Sequence, residues 1–152
     1  MRRLRVDAAR AGDVPALVDM VAEFRAEVAA VSSVPFDAGH TADLLGGLIA
    51  SPSGFVAVVR NHACAPVGCL VAAVGDYPFA PVAAADELIF YIAPEWRGGR
   101  AALDLLASYE AWAVSVGAAI VGLTHTGKSC AALYRRAGFA PVEQKYIKKM
   151  GD

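Results

Sequence analysis

Cysteine is scarce in this chain, with three residues among 152, and Cys64, Cys69 and Cys130 contain no C-x-x-C pair. An odd, irregularly spaced set does not build a disulfide framework and fits a reducing compartment. His62 beside Cys64 and Cys69 lacks metal-ligand spacing, so turn and core roles are expected and no metal is. No apolar run reaches the length of a membrane span. The N-terminal Met-Arg-Arg-Leu-Arg-Val-Asp has basic residues with no apolar stretch behind them, so no signal peptide is expected and the location implied is cytoplasmic. Charge of one sign is also missing. The formal net charge is −1, which argues against a nucleic-acid-binding surface. With no repeats, low-complexity tracts or linker, residues 1–152 are expected to form a single domain with a real core.

The apolar fraction is high, at 57%, and its periodicity places the elements. Leu4–Ala9 reads as a strand. Asp13 offers a helix cap and Pro15 fits a first turn. Val14, Leu17, Val18, Val21, Phe24 and Val28 then form one stripe of a helix over 13–29, with Asp19, Glu23, Arg25 and Glu27 on a face expected to be solvated. Residues 30–37 form a loop, and a second helix built on Leu44, Leu45, Leu48 and Ile49 runs to about Ala50. Phe55–Arg60 and Val67–Val74 read as hairpin partners around a turn at Asn61–Pro66. Residues 75–85 read as a loop. Leu88–Ile92 is an unbroken β-forming run, expected to be a strand covered on both faces, and Pro94 ends it. A helix follows on Ala102, Leu105, Leu106, Tyr109, Trp112 and Val116, closed by Gly117. Ala118–Leu123 reads as another buried strand and Lys128–Ala137 as a short helix closed by Gly138. Phe139–Val142 and Gln144–Met150 are expected as terminal strands. The order β-α-α-β-β-β-α-β-α-β-β makes a mixed α/β fold.

Two segments have the chemistry of phosphate turns. Gly98 and Gly99 lie between a strand and the N-terminus of a helix, where free amides and the helix dipole favour an anion and glycine admits it to the backbone. Arg97 and Arg100 add positive charge. The second segment, Gly122-Leu-Thr-His-Thr-Gly-Lys-Ser129, satisfies G-x-x-x-x-G-K-[ST] between a strand and a helix. Only 23 residues follow it, too few for the further strands and the magnesium-holding carboxylate of a nucleotidase. That second turn is read as a polar strand-to-helix connection.

Arg97-Gly98-Gly99-Arg100-Ala101-Ala102 resembles the coenzyme A pyrophosphate loop of the GNAT N-acetyltransferases, Q/R-x-x-G-x-G/A, with Arg100 standing where glycine is usual. Leu133-Tyr134-Arg135-Arg136-Ala137-Gly138-Phe139 is similar to that family's late L-Y-x-x-x-G-F segment, and the order of elements agrees. A small branch often encoded by phages and prophages is more similar still. It carries R-G-G-R-A-A in the loop and an end like Gly138–Val142 with Tyr146 and Lys148. The resemblance implies a central, mostly antiparallel mixed sheet with helices on both faces. The implied reaction is direct transfer of the acetyl group of acetyl-CoA to a primary amine of a small molecule or protein, without metal, nucleic acid or membrane.

By the same resemblance Phe90, Tyr91 and Ile92 offer backbone groups to the pantetheine arm, an amide near Ile92 facing the developing oxyanion. Arg97, Gly98, Gly99, Arg100, Ala101, Ala102 and Leu103 hold the pyrophosphate. Tyr134 is the implied general acid at the sulfur. Glu87 and His125 are both candidate bases, the first through a water. Many relatives carry an asparagine seven residues before the tyrosine. Here that position is Gly127, which leaves its cofactor contact to Thr126 or Lys128. The loops 30–40 and 75–85, with Phe36, Asp37, His40, Asp76, Tyr77 and Phe79, are expected to line the acceptor pocket. A homodimer is compatible with the resemblance. The competing reading is a GNAT-fold module that binds acyl-CoA or a partner without catalysis.

Overall fold

Two runs of apolar residues, Val56–Val59 and Val67–Ala72, are long enough to feed both faces of a sheet at once, and they set the middle of the fold. The structure, a computed structural model, describes residues 4–28, 33–127 and 131–151. Its five strands are β1 (Arg5–Ala8), β2 (Gly54–Arg60), β3 (Pro66–Asp76), β4 (Ala83–Ile92) and β5 (Ala118–Gly122). They lie side by side in chain order, the first three pairings antiparallel and β4–β5 parallel. The parallel pair needs a crossover, and helix α3 (Ala101–Ser115) supplies it.

Alternation along the strands divides the core in two. Ala57, Val59, Leu70, Ala72 and Ala85 pack with Leu105, Leu106 and Tyr109 of α3 on one face. Val56, Val58, Cys69, Val71, Ile89 and Tyr91 pack on the other face with Leu17, Met20 and Val21 of helix α1 (Val14–Glu27) and Leu45 of helix α2 (Ala38–Ala50). Asp37 caps α2 by accepting the His40 N–H at 2.7 Å. Gly54 begins β2 where a Cβ would lie 2.2 Å from the Leu48 carbonyl oxygen, so only glycine lets the last turn of α2 close onto the sheet.

Several expectations need correction. Asp13 does not cap α1 through its side chain; its carboxylate accepts the Arg10 N–H and pairs with Arg60 of β2. Strand β4 starts at Ala83, so the loop expected over 75–85 shrinks to 77–82. Nor is β4 covered on both faces, because Asp86 is exposed and Leu88 is 46% exposed. The expected buried strand β5 is an edge, pairing among the described residues with β4 alone and leaving Ile120 41% exposed. A short apolar run records β propensity but not the number of neighbours a strand will have.

Residues 139–151 form no strand, and Val142, Tyr146, Ile147 and Met150 are exposed. Their apolar residues suit a ladder, but a strand exists only where a neighbour meets its amides. Helix α4 (Ala131–Arg136) is the described part of the helix expected from Lys128; Lys128–Cys130 lie outside the described residues, as do 29–32 of the loop before α2.

Candidate active site

The parallel pairing of β4 and β5 runs from Ala83–Ala118 to Asp86–Gly122 and stops there. Beyond it β4 continues to Ile92 with no strand on that side among the described residues, so the sheet opens into a fork. Such a point, at the carboxyl ends of parallel strands, is where an α/β sheet offers unused backbone groups. Leu88 is an extra residue against β3, because Ile89 pairs with Val71 and Glu87 with Ala72. A bulge of this kind bends the strand and re-aims its side chains. Ala93 N–H bonds the Val67 carbonyl. Antiparallel alternation then turns the Tyr91 backbone toward β3 and leaves the Phe90 groups and the Ile92 amide on the open edge. The Ile92 carbonyl is taken by Arg97 Nε at 2.6 Å.

Three residues cross the mouth of the fork. Glu87, buried at its base, accepts the Thr124 N–H at 2.9 Å. The Tyr134 hydroxyl donates to the Thr124 carbonyl at 3.0 Å, and its ring stacks on Phe90 with centroids 6.4 Å apart. Glu87 and Tyr134, a candidate base and a candidate acid, therefore hold the two backbone ends of one residue. Burial pushes the Glu87 carboxyl up to about 7; the Thr124 N–H opposes the shift, and the charge of Asp86 adds to it. Sequence reasoning passed over Thr124. Its signal was positional, since it follows the last residues of a parallel strand. Tyr109 of α3 fixes the β5 side of the fork by donating to the Gly122 carbonyl at 3.0 Å.

The glycine turn lies at the far, open end of β4. After a 3-10 turn at Pro94–Trp96, Gly98 takes φ +85°, a left-handed conformation that favours glycine, and α3 begins at Ala101. No atom would lie within 4 Å of a Cβ at Gly98 or Gly99, so the backbone is open to an approaching group. Ala101 is buried and Ala102 and Leu103 half-buried, which places the helix start firmly on the sheet.

The two arginines of the turn are already engaged. Arg97 Nη2 bonds both carboxylate oxygens of Glu27 at 2.7 and 3.0 Å, and its guanidinium lies over the Tyr91 ring at 5.4 Å. Arg100 pairs with Asp104 at 3.3 Å on the exposed face of α3. The acidic face of α1 is accordingly not simply solvated. Glu27 binds Arg97, and Glu23 accepts the Tyr91 hydroxyl at 2.5 Å, which with burial holds that phenol protonated. Both contacts tie α1 to the end of β4.

His125 is exposed, next in the chain to Thr124, and Gly127 takes φ +85°. Thr126 is half-buried, and Lys128, the other substitute for the missing asparagine, falls outside the described residues, as does Ser129 of the second phosphate motif. Half of the expected acceptor lining does come together. Val21, Arg25, Val34, Phe36, Asp37 and His40 surround a cavity of about 340 Å³ between α1 and the start of α2. The other half does not join it. Tyr77 and Phe79 pack edge to face in the β3–β4 connection, beyond the closed end of the fork. Among the described residues no three His, Cys, Asp or Glu side chains gather as metal ligands, and no helix is long and apolar enough to cross a membrane. Cys64 is exposed, and the Cys69 thiol is buried and pushed up to about 12.

No family model matches the chain, and no curated protein matches it. Solved structures do. A protein from Clostridium acetobutylicum, described as a predicted acetyltransferase and crystallised with acetyl-CoA, superposes with a TM-score of 0.80 at 14% identity, covering 97% of this chain and 96% of that one. Glucosamine-6-phosphate N-acetyltransferase from Arabidopsis thaliana gives 0.78 at 8% identity over 99% and 100%. The integron cassette protein HFX_CASS3, from the mobile metagenome of Cole Harbour salt marsh, gives 0.77 at 20% identity over 95% and 89%. At these identities the likeness is one of fold: a mixed five-stranded sheet with helices on both faces, as in the GNAT acetyltransferases.

Proposed function

We propose that the protein is an acetyl-CoA-dependent N-acetyltransferase that passes the acetyl group directly to a primary amine. The observation that carries the reading is the fork itself. An open edge of β4 runs from the exposed glycine turn to a point where Glu87 and Tyr134 converge on Thr124. The fit to acetyl-CoA is physical. Gly98 and Gly99 leave room beside the first amides of α3 for a diphosphate, and Phe90 and Ile92 have backbone groups free for an extended arm. Acetyl-CoA brings an activated thioester. The chain's own part is to hold it, orient the amine and move protons.

In this reading the amine nitrogen attacks the thioester carbonyl, a C–N bond forms and the C–S bond breaks. Glu87, acting through a water, takes a proton from the amine, and the Tyr134 hydroxyl gives one to the departing thiolate. A carboxyl that titrates near 7 suits the first task, since a base works best when its pKa lies near the working pH. His125 is the second candidate base, and His125→Ala tests it separately. The R-G-G-R-A-A turn supports the phage-type branch, and the acceptor in this reading is a primary amine of a small molecule or protein.

Tyr134→Phe keeps the ring on Phe90 and removes only the hydroxyl. Turnover, read as thiol released from acetyl-CoA with a panel of amines, should fall about 100-fold, while CoA affinity by calorimetry stays within about twofold. Unchanged turnover would reject the acid role. A melting temperature that acetyl-CoA and CoA both leave unmoved would reject the whole reading. Tight CoA binding with no thiol release for any amine would favour the non-catalytic module.

A further inference from the structure

On the acetyl-transfer reading, we infer that Arg97 and Glu27 are positioning residues for the cofactor arm: they close the open edge of β4 at Ile92, so that an extended chain lies on it in one register. The resemblance assigns Arg97 to the diphosphate, but its bonds run elsewhere. The side chain turns back across Pro94–Trp96, and its Nε donates to the Ile92 carbonyl at 2.6 Å. Its Nη2 bonds both carboxylate oxygens of Glu27 at 2.7 and 3.0 Å, and the guanidinium lies over the Tyr91 ring. Glu23, one turn before Glu27 on α1, accepts the Tyr91 hydroxyl. One planar group thus bridges a strand edge and a helix, which a guanidinium can do and an ammonium cannot.

Phe90 and Ile92 turn their backbone groups away from β3, because Tyr91 and Ala93 take the bonds to it. Toward the fork the edge therefore offers the Phe90 N–H, the Phe90 carbonyl and the Ile92 N–H, and its last carbonyl is closed by Arg97. A chain of amides that adds to a strand edge pairs with alternate residues. A slide of one step, two residues or about 7 Å, would carry its reacting end away from Glu87 and Tyr134. With the Ile92 carbonyl occupied, the slide toward the glycine turn has no acceptor to pair with. Glu27 keeps the guanidinium on that carbonyl.

The ion pair is part-exposed, Arg97 at 44% and Glu27 at 35%, so losing Glu27 alone changes affinity only a few-fold, and the Nε bond carries the larger share. A clamp on the edge and a contact to phosphate differ in one decisive way. Pantetheine has the amides of the arm and no phosphate. The clamp helps pantetheine as much as CoA, whereas a phosphate contact helps CoA alone. The two also differ in sign at Glu27, which supports a clamp but competes with a phosphate for Arg97.

NMR titrations of the full chain with CoA and with pantetheine test the clamp. Arg97→Lys keeps the charge and loses the bridge, and should weaken both ligands about tenfold. Glu27→Gln should weaken both about threefold, and adding it to Arg97→Lys should cost nothing further. Both side chains are part-exposed, so the variants spare the core, and Glu27→Gln reads the clamp even if Arg97→Lys does not fold. In the wild type the Arg97 Nε–H signal should stay protected from exchange as CoA is added. Weakening of CoA with pantetheine unchanged, tightening of CoA by Glu27→Gln, or loss of the Nε–H protection on CoA binding each overturn the inference, because each puts the guanidinium on the diphosphate. The expected shifts in binding with no thiol released from acetyl-CoA for any amine sink the acetyl-transfer reading and leave the clamp standing. A wild type that binds neither ligand overturns both.

Discussion

Asp13→Ala should cost about 3–5 kcal/mol of folding stability, the range seen when one partner of a buried ion pair is removed and the other charge is left behind. Arg60 and Asp13 have side chains only 10% and 12% exposed and meet through two parallel bonds of 2.9 and 2.8 Å. Asp7 at 3.1 Å would remain, which places the expected loss at the lower end of the range. The pair joins the end of β2 to the entry of α1, so the variant should also loosen the angle at which α1 reaches Tyr91 and Arg97.

A pH test isolates the charge. The hydrogen bond from Arg60 holds the Asp13 carboxyl below its ordinary value of 3.8. Its contribution is therefore present above that value and lost as pH falls through the folded one. Urea unfolding should separate wild type and Asp13→Ala widely at pH 7 and less at pH 3. Replacing both partners, Asp13→Leu with Arg60→Met, should cost less than Asp13→Ala alone, because no orphaned charge stays buried. A double variant as unstable as the single one would mean that packing, not the pair, is at stake.

Local pattern revealed what local forces decide. The stripe Leu17–Val21–Phe24 marked α1, the runs around Val58 and Leu70 marked the central strands, and Gly98 and Gly99 marked a turn that does take a left-handed φ. What stayed hidden depends on partners distant in the chain. Glu87 and Thr124 are 37 positions apart, Arg60 and Asp13 47, Tyr91 and Glu23 68. The acidic face of α1 reads as solvated because nothing local says that a tyrosine and an arginine from β4 will meet it. The tail fails for the converse reason. Val142, Tyr146 and Ile147 have the residue types of a strand, but β propensity describes packing against neighbours, and against the described residues these side chains stay exposed. Glu87 was visible as a carboxylate at a strand start, whereas the burial that tunes it was not.

That tuning gives Glu87→Gln two effects of opposite sign. If Glu87 takes the amine proton, glutamine cannot, and kcat/KM should fall by about 100- to 10,000-fold. Stability should move the other way. Burial raises the folded carboxyl from 4.5 to about 7, so the folded state holds a proton the unfolded state has lost across that interval. Folding stability must then decline as pH climbs from 4.5 toward 7, by at most about 3.5 kcal/mol, each pKa unit being worth about 1.4 kcal/mol. Glutamine carries no charge to bury, and its carbonyl can still accept the Thr124 N–H. The variant should match wild type near pH 5 and melt at a higher temperature at pH 8.5. The wild-type kcat/KM should in turn rise with pH through an apparent midpoint near 7, and Asp86→Asn should lower that midpoint by removing a neighbouring negative charge. A dead enzyme with no stability gain at pH 8.5 would mean that Glu87 is not the buried, charge-strained group the fork requires. A stabilised enzyme with full turnover would move the base to His125.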